Sequence, residues 1–371
     1  MKYLKFILIG PFVLLAYSPV VHSNNISYLN DVLPNSSRGN FELSVSKAEF
    51  NENLDVLGYI DKLSGARPKQ ADISEISLSY RFLDKYRLTL QSNSSSAEII
   101  RSGIPSSLET EADTDYISFS LPIFKNKERD LNFELFYTET TQDPVTIDCY
   151  GFGSIVVGGS CPEADVKLLD SQIYKNTGDR VYLPVIKTQG SSEGYGINLR
   201  IKKTQNKTFN ISHTLSLGEE EILMKFDSAI LNTTDSFLRG VRINGTTTGE
   251  LLDNFKNDLP QETPWKERYF KYSLNLTYGI SEKLALSGRL GLIKVSRADY
   301  QENPNKKDFT DNQLLDFGFF YQPQENILLY SRMSLSTRYL LGITPISYNR
   351  KSNHLFDHPY GQLYIGTLIR F

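Results

Sequence analysis

The sequence has 371 residues, with 40 Lys and Arg against 43 Asp and Glu and a formal net charge of −3. That balance excludes the basic composition of a nucleic-acid-binding protein, and no nucleic-acid partner is expected. The chain holds 22 Tyr and 21 Phe but two Cys and one Trp, so it is rich in aromatics and nearly empty of thiols.

Residues 1–23 read as an export signal. Lys2 and Lys5 give a positive start, and Phe6 to Ala16 is an apolar run interrupted by Gly10 and Pro11. Val21-His22-Ser23 follows, and cleavage is expected after Ser23, with Ser18 as the alternative. The run is too short to span a membrane as a helix, and no Cys follows it to carry a lipid anchor. Loss of this segment leaves 38 basic against 43 acidic residues. Residues 24–39 form a short N-terminal segment before the first ordered element.

From residue 40 onward the chain is governed by a period of two, which means strands with unlike faces. Such segments start near Phe41, Ile76, Tyr86, Ile117, Leu131, Tyr195, Phe209, Tyr269, Leu284, Leu315, Ile327 and Gly361. In the eighth, Phe270, Tyr272, Leu274, Leu276 and Tyr278 alternate with Lys271, Ser273, Asn275 and Thr277. Short connections fall at Leu83-Asp84, Lys125–Arg129, Thr204–Lys207, Ser281–Lys283 and Pro323–Asn326. Long ones are expected over 49–71, 95–113, 140–192, 218–265, 299–310 and 339–359. A soluble sandwich would turn its apolar face inward against a packed core. Here the opposite face carries Arg, Lys, Glu, Asn and Ser, which a dry core of this size would not accommodate.

Several loop features invite chemistry. Glu109, Glu111, Asp113 and Asp115 alternate where a loop enters a strand, either as oxygen ligands for a divalent ion or as solvated charges. Cys149 and Cys161 flank a glycine-rich stretch; an exported chain with one local pair of cysteines reads as one disulfide. Val166–Lys175 and Val181–Lys187 flank a good hairpin turn at Asn176–Asp179, and the hairpin is placed above the membrane. If both arms crossed, the strand count would be fourteen. Lys225 to Phe237 reads as a short helix. His354, Asp357 and His358 could share a helical turn, but Pro359 shortens any helix there, and the reading adopted is a solvated loop with no metal site. No cofactor is expected.

The chain ends on Gly361 to Phe371, where Leu363, Ile365, Thr367, Ile369 and Phe371 share one face. This ending resembles the terminal strand of Gram-negative outer-membrane β-barrel proteins, a porin-like class rather than one family. The resemblance implies that Phe371 is an assembly signal read by the barrel-assembly machinery, with periplasmic chaperones as further partners. It also implies a location in the outer membrane among its lipid and lipopolysaccharide. The expected fold is then all-β: a transmembrane antiparallel up-and-down barrel of twelve strands over residues 40–371, with short periplasmic turns and long extracellular loops. Residues 24–39 would be periplasmic, and too few for a plug or a passenger domain.

His213 shares the lipid-facing side with Phe209, Ile211 and Leu215, which invites comparison with outer-membrane phospholipases. Those carry His and Ser two apart on the same face. Here Leu215 stands two residues on, so the pattern fails and no enzyme is expected. The inward face is the stronger signal. Parity places Arg81, Arg87, Arg200, Lys202, Lys271, Arg289, Arg332, Arg338 and Arg370 there, against Glu42, Glu75, Glu134 and Asp316. A basic lumen in an acidic chain points to a passive channel for small, anionic solutes. The alternative is a structural or surface-interaction barrel whose loops do the work.

Overall fold

The computed structural model describes residues 40–51, 66–83, 85–101, 104–126, 128–147, 186–204, 208–227, 236–240, 242–243, 245–247, 264–302, 307–338 and 359–371, with a few isolated loop positions. Its strands are β1 (Phe41–Asn51), β2 (Ala66–Phe82), β3 (Tyr86–Arg101), β4 (Ile104–Lys125), β5 (Arg129–Ile147), β6 (Ile186–Thr204) and β7 (Phe209–Asp227). A short helix α1 (Ser236–Gly240) and the two-residue strands β8 (Arg242–Ile243) and β9 (Thr246–Thr247) follow. The chain then continues through β10 (Trp265–Gly279), β11 (Leu284–Ala298), β12 (Asp311–Gln324), β13 (Ile327–Ser336) and β14 (Tyr360–Arg370).

Twelve of these strands close into one antiparallel barrel, each pairing with its neighbours in sequence and β14 returning to β1. Only β8 and β9 stand apart, as a separate two-stranded piece. The seam runs from Glu42 opposite Arg370 to Glu49 opposite Leu363, and Phe371 N–H donates to the Phe41 carbonyl at 2.9 Å. Closure leaves no strand edge without a partner, which a sheet in lipid requires. Strand β5 pairs with β6 from Arg129 opposite Lys203 to Ile147 opposite Ile186, so no further strand is inserted between them. The barrel has twelve strands and not fourteen.

Alternation decides which way each side chain points. Outward stand Val45, Ile76, Leu90, Ile117, Leu135 and their counterparts, all exposed, although they are among the most apolar residues of the chain. In water this would be an unstable surface; against acyl chains it is the required one. At the end with the short turns, Phe41 stacks on Tyr80 at 4.5 Å, Phe82 on Tyr86 at 5.4 Å and Tyr86 on Phe119 at 5.9 Å. That aromatic girdle marks a membrane–water boundary. The barrel therefore spans the outer membrane. No helix among the described residues is long and apolar enough to cross a membrane.

Three expectations change. The connection between β3 and β4 is not a loop over 95–113: the strands stay paired from Ile99 opposite Leu108 and meet at Arg101 opposite Ile104. Likewise β6 and β7 remain paired up to Lys187 opposite Asp227. Beyond the apolar belt lipid no longer demands apolar residues on the outward face, so the period of two fades while backbone pairing continues. Third, Lys225 and its neighbours belong to β7, and helix α1 begins only at Ser236. There Arg239 donates to Asp253 at 2.5 Å, and that hydrogen bond holds the guanidinium pKa above its ordinary value. Residues 1–39, Cys149, Cys161, the hairpin turn at 176–179 and the His354, Asp357, His358 group lie outside the described residues.

Candidate channel interior

The inward face begins at the periplasmic end with Glu42 on β1. Its carboxylate meets Arg87 at 3.3 Å, Arg370 at 3.4 Å and Arg81 at 3.7 Å, so it ties β1 to β2, β3 and β14 at once. Glu42 is 3 % exposed and Arg370 4 %. Burial without such partners would cost several kcal/mol per ion, so the arrangement is as much a condition of folding as a source of field.

Further up, Arg289 on β11 forms an ion pair with Asp316 on β12, which is fully buried. Strand pairing sets these two directly opposite. Arg332 on β13 lies over the Tyr364 ring of β14 at 4.3 Å. Arg338, just past β13, lies over Phe309 at 4.4 Å. Lys271 on β10 sits 4.1 Å from the Tyr269 ring. A cation over an aromatic face is attracted by the ring quadrupole.

On the other side Glu134 accepts from Tyr116 at 2.9 Å and from Asn198 at 2.6 Å. Arg200 and Lys202 share the Asn198 side of β6, near the periplasmic turn, with Asn132 and Asp130 opposite. Glu75 points inward on β2 and is 4 % exposed. The rest of this wall is uncharged. Ser79 bonds Thr89 at 2.8 Å, Thr114 bonds Thr140 at 2.9 Å, and Gln91 donates to Asn93 at 3.2 Å.

Sequence reading missed Arg297, Glu267 and Glu220. Arg297 donates to Glu267 at 2.6 Å with both side chains buried, and Ser192 donates to Glu220 at 2.8 Å. The signal was present: Arg297 has the parity of Arg289, and Glu267 that of Lys271. It was lost because these residues were assigned to strand ends or loops. Two side chains also need close approach to glycine. A Cβ at Gly218 would overlap the Tyr269 ring, and one at Gly366 the Tyr330 ring, so both rings lie along the wall.

Outside the barrel, His213 Nδ1 and the Tyr272 hydroxyl are 2.8 Å apart on the lipid-facing side. This pairing across β7 and β10 satisfies one ring nitrogen in a low-dielectric setting. Glu111, Asp113 and Asp115 point outward from β4 and are exposed. Among the described residues, no three His, Cys, Asp or Glu come together as a metal site would need.

No family model matches the chain, and no curated protein matches it. Among solved structures, the NanC porin aligns over 89 % of this chain and all of its own, at 8 % identity and a TM-score of 0.44. The translocator domain of the autotransporter NalP from Neisseria meningitidis aligns over 94 % of each chain, at 9 % identity and 0.48. The Ralstonia pickettii toluene transporter TbuX aligns over 97 % of this chain and all of its own, at 8 % and 0.42. What each of them carries is not transferred at such identities. Closure of twelve strands, an outward apolar belt and a polar interior are properties of this chain itself. The protein is a twelve-stranded outer-membrane β-barrel.

Proposed function

We propose that the barrel is a passive channel for small anionic solutes. The observation that carries this reading is the set of arginines along the wall from β11 to β14. Arg332 and Arg338 each lie on an aromatic ring. Among the described residues the inward face holds ten basic side chains, with Arg297 added, against seven acidic ones, with Asp130, Glu220 and Glu267 added. Low-dielectric walls focus such a field and raise the local concentration of anions.

Planar-bilayer recording in a KCl gradient tests this. The wild type is expected to show unit conductance with an anion-selective reversal potential. The R338Q and R332Q variants, which remove charge while keeping polarity, are expected to lower the anion-to-cation permeability ratio severalfold. A cation-selective wild type would overturn the reading. The second reading is a non-conducting structural barrel, favoured by the depth at which Glu42, Asp316 and Arg297 are buried. Absence of any unit conductance in assembled protein decides for it.

The remaining expectations stand as parts of the same proposal. Residues 1–23 are removed on export. Phe371 addresses the chain to the barrel-assembly machinery, delivered by periplasmic chaperones, and the barrel then sits among lipid and lipopolysaccharide. Cys149 and Cys161 form a local disulfide; unreduced, denatured protein should show no free thiol, and two reactive thiols would refute the bond. No catalysis is assigned: His213 is engaged by Tyr272, and the nearby Ser212, Thr214 and Ser216 have inward parity.

A further inference from the structure

The apolar belt on the outside of the barrel is not of even height. On β10 five outward residues follow one another from the periplasmic turn: Tyr278, Leu276, Leu274, Tyr272 and Phe270, before Arg268 ends the run. On β3 the run is Tyr86, Leu88 and Leu90, and Ser92 and Ser94 then stand outward and exposed. Strand β1 stops as early: Phe41 and Val45 are exposed apolar residues, and the next outward side chain is Lys47. Strand β2 carries apolar residues up to Ile76, then Ser74 and Asp72.

The difference is large on the scale of a bilayer. At ~3.3 Å per residue, five residues of β3 make about 13 Å of strand and nine residues of β10 about 26 Å. With strands tilted by roughly 40°, the belt is about 10 Å tall over β3 and about 20 Å over β10, where an outer-membrane barrel ordinarily shows a band of about 25 Å. The change is abrupt at the seam. Lys47 on β1 is paired directly with Ile365 on β14, and both project outward. The Lys47 ammonium lies 3.6 Å from Asp72, and its side chain is 64 % exposed. A long lysine could snorkel upward from within a full-height bilayer. Ser92 and Ser94 have no such reach.

We infer that the outer leaflet is drawn down along β1, β2 and β3, so that headgroups and water reach Lys47, Ser74, Ser92 and Ser94 at a depth where β10 and β11 face acyl chains. The surface there suits lipid headgroups rather than hydrocarbon: an ammonium, a carboxylate and a row of hydroxyls. A shorter apolar stretch is met by thinning of the bilayer at a modest cost per ångström of mismatch. The inference rests on the membrane-barrel fold alone and is independent of any conduction.

Single cysteines placed at equal distances from their periplasmic turns test it, in full-length protein with Cys149 and Cys161 replaced by Ser. The pairs are S92C with L290C, and S94C with L292C. Each variant is assembled at high dilution in dioleoylphosphatidylcholine vesicles, its assembly is checked by heat-modifiable migration, and a charged water-soluble maleimide is supplied on both sides. S92C and S94C are expected to react at least tenfold faster than L290C and L292C. In vesicles with shorter dilauroyl chains, L292C should gain reactivity while S94C stays unchanged. Equal protection of all four would show a bilayer of full thickness and overturn the inference. Protection of S94C that is lost on further dilution, with disulfide-linked pairs of barrels, would show that a second copy covers this face, and would overturn it too.

Discussion

The two halves of the barrel wall solve the same problem by different chemistry. From β2 to β5 the inward face carries, between its charges, a band of hydroxyls and amides, with Ser79 on Thr89 and Thr114 on Thr140 as neutral cross-strand pairs. From β10 to β14 it is charged and aromatic, with Arg289 on Asp316, Arg332 on Tyr364 and Arg297 on Glu267. Both satisfy buried polar groups across neighbouring strands. The neutral wall does so with short side chains that create little field. The charged wall commits strong charges whose pairing must be kept, and in return holds a potential that solutes would feel. If the barrel conducts as proposed, stability and selectivity draw on the same half.

The largest effect should come from breaking one charged pair. D316A leaves Arg289 buried without its carboxylate, and removal of one partner from such a pair costs about 3–5 kcal/mol. The expected outcome is loss of heat-modifiable barrel, or a clear drop in the temperature at which the folded band disappears. Replacing both residues by apolar ones, as R289M/D316L, should recover most of that loss, since a well-packed apolar pair is often as stable as the ion pair. If the double variant is as damaged as D316A, the pair does more than satisfy itself, and the division between the walls sharpens.

Selectivity should respond next, and on one side only. R338Q shifts the reversal potential as set out above, while none of the neutral hydroxyl pairs between β2 and β5 should do so. The smallest effect belongs to T114V/T140V. Both partners of one hydrogen bond are then replaced by groups of similar shape, which is nearly neutral. A change within about 0.5 kcal/mol in stability and an unchanged reversal potential are expected; a larger selectivity change would mean that the neutral wall also discriminates between ions.

Much of this architecture was legible in the amino-acid order. Alternation from Tyr269 to Ile280, and again from Gly361 to Phe371, fixes strand type and facing because lipid and polar interior demand opposite residues at successive positions. The same demand placed Arg289 and Asp316 on the inward side. It could not reveal that they stand directly opposite each other, since register is set by pairing and not by pattern. Nor could it mark where β3 ends: the outward apolar residues stop at Leu90, while backbone pairing with β4 continues to Arg101. Glu42 is the clearest case of information held only in space, as one acid in an unremarkable Phe-Glu-Leu-Ser run gathers three arginines from three other strands.

The seam between β1 and β14 carries a consequence for how the molecule comes into being. Glu42 and Arg370 are 328 positions apart, and the ladder that joins their strands has eight residue pairs against eighteen between β6 and β7. All other barrel strands meet their neighbours through local connections, so a growing sheet can lengthen hairpin by hairpin. The last ladder gains nothing until nearly the whole chain is in place, and then closes over the longest loop available. Until that moment the sheet has two open edges, each able to pair with a foreign strand. The short seam is thus expected to be the last ladder to form, and the resistance of the folded band to heat is expected to depend on that ladder as well as on the charged pairs of the wall.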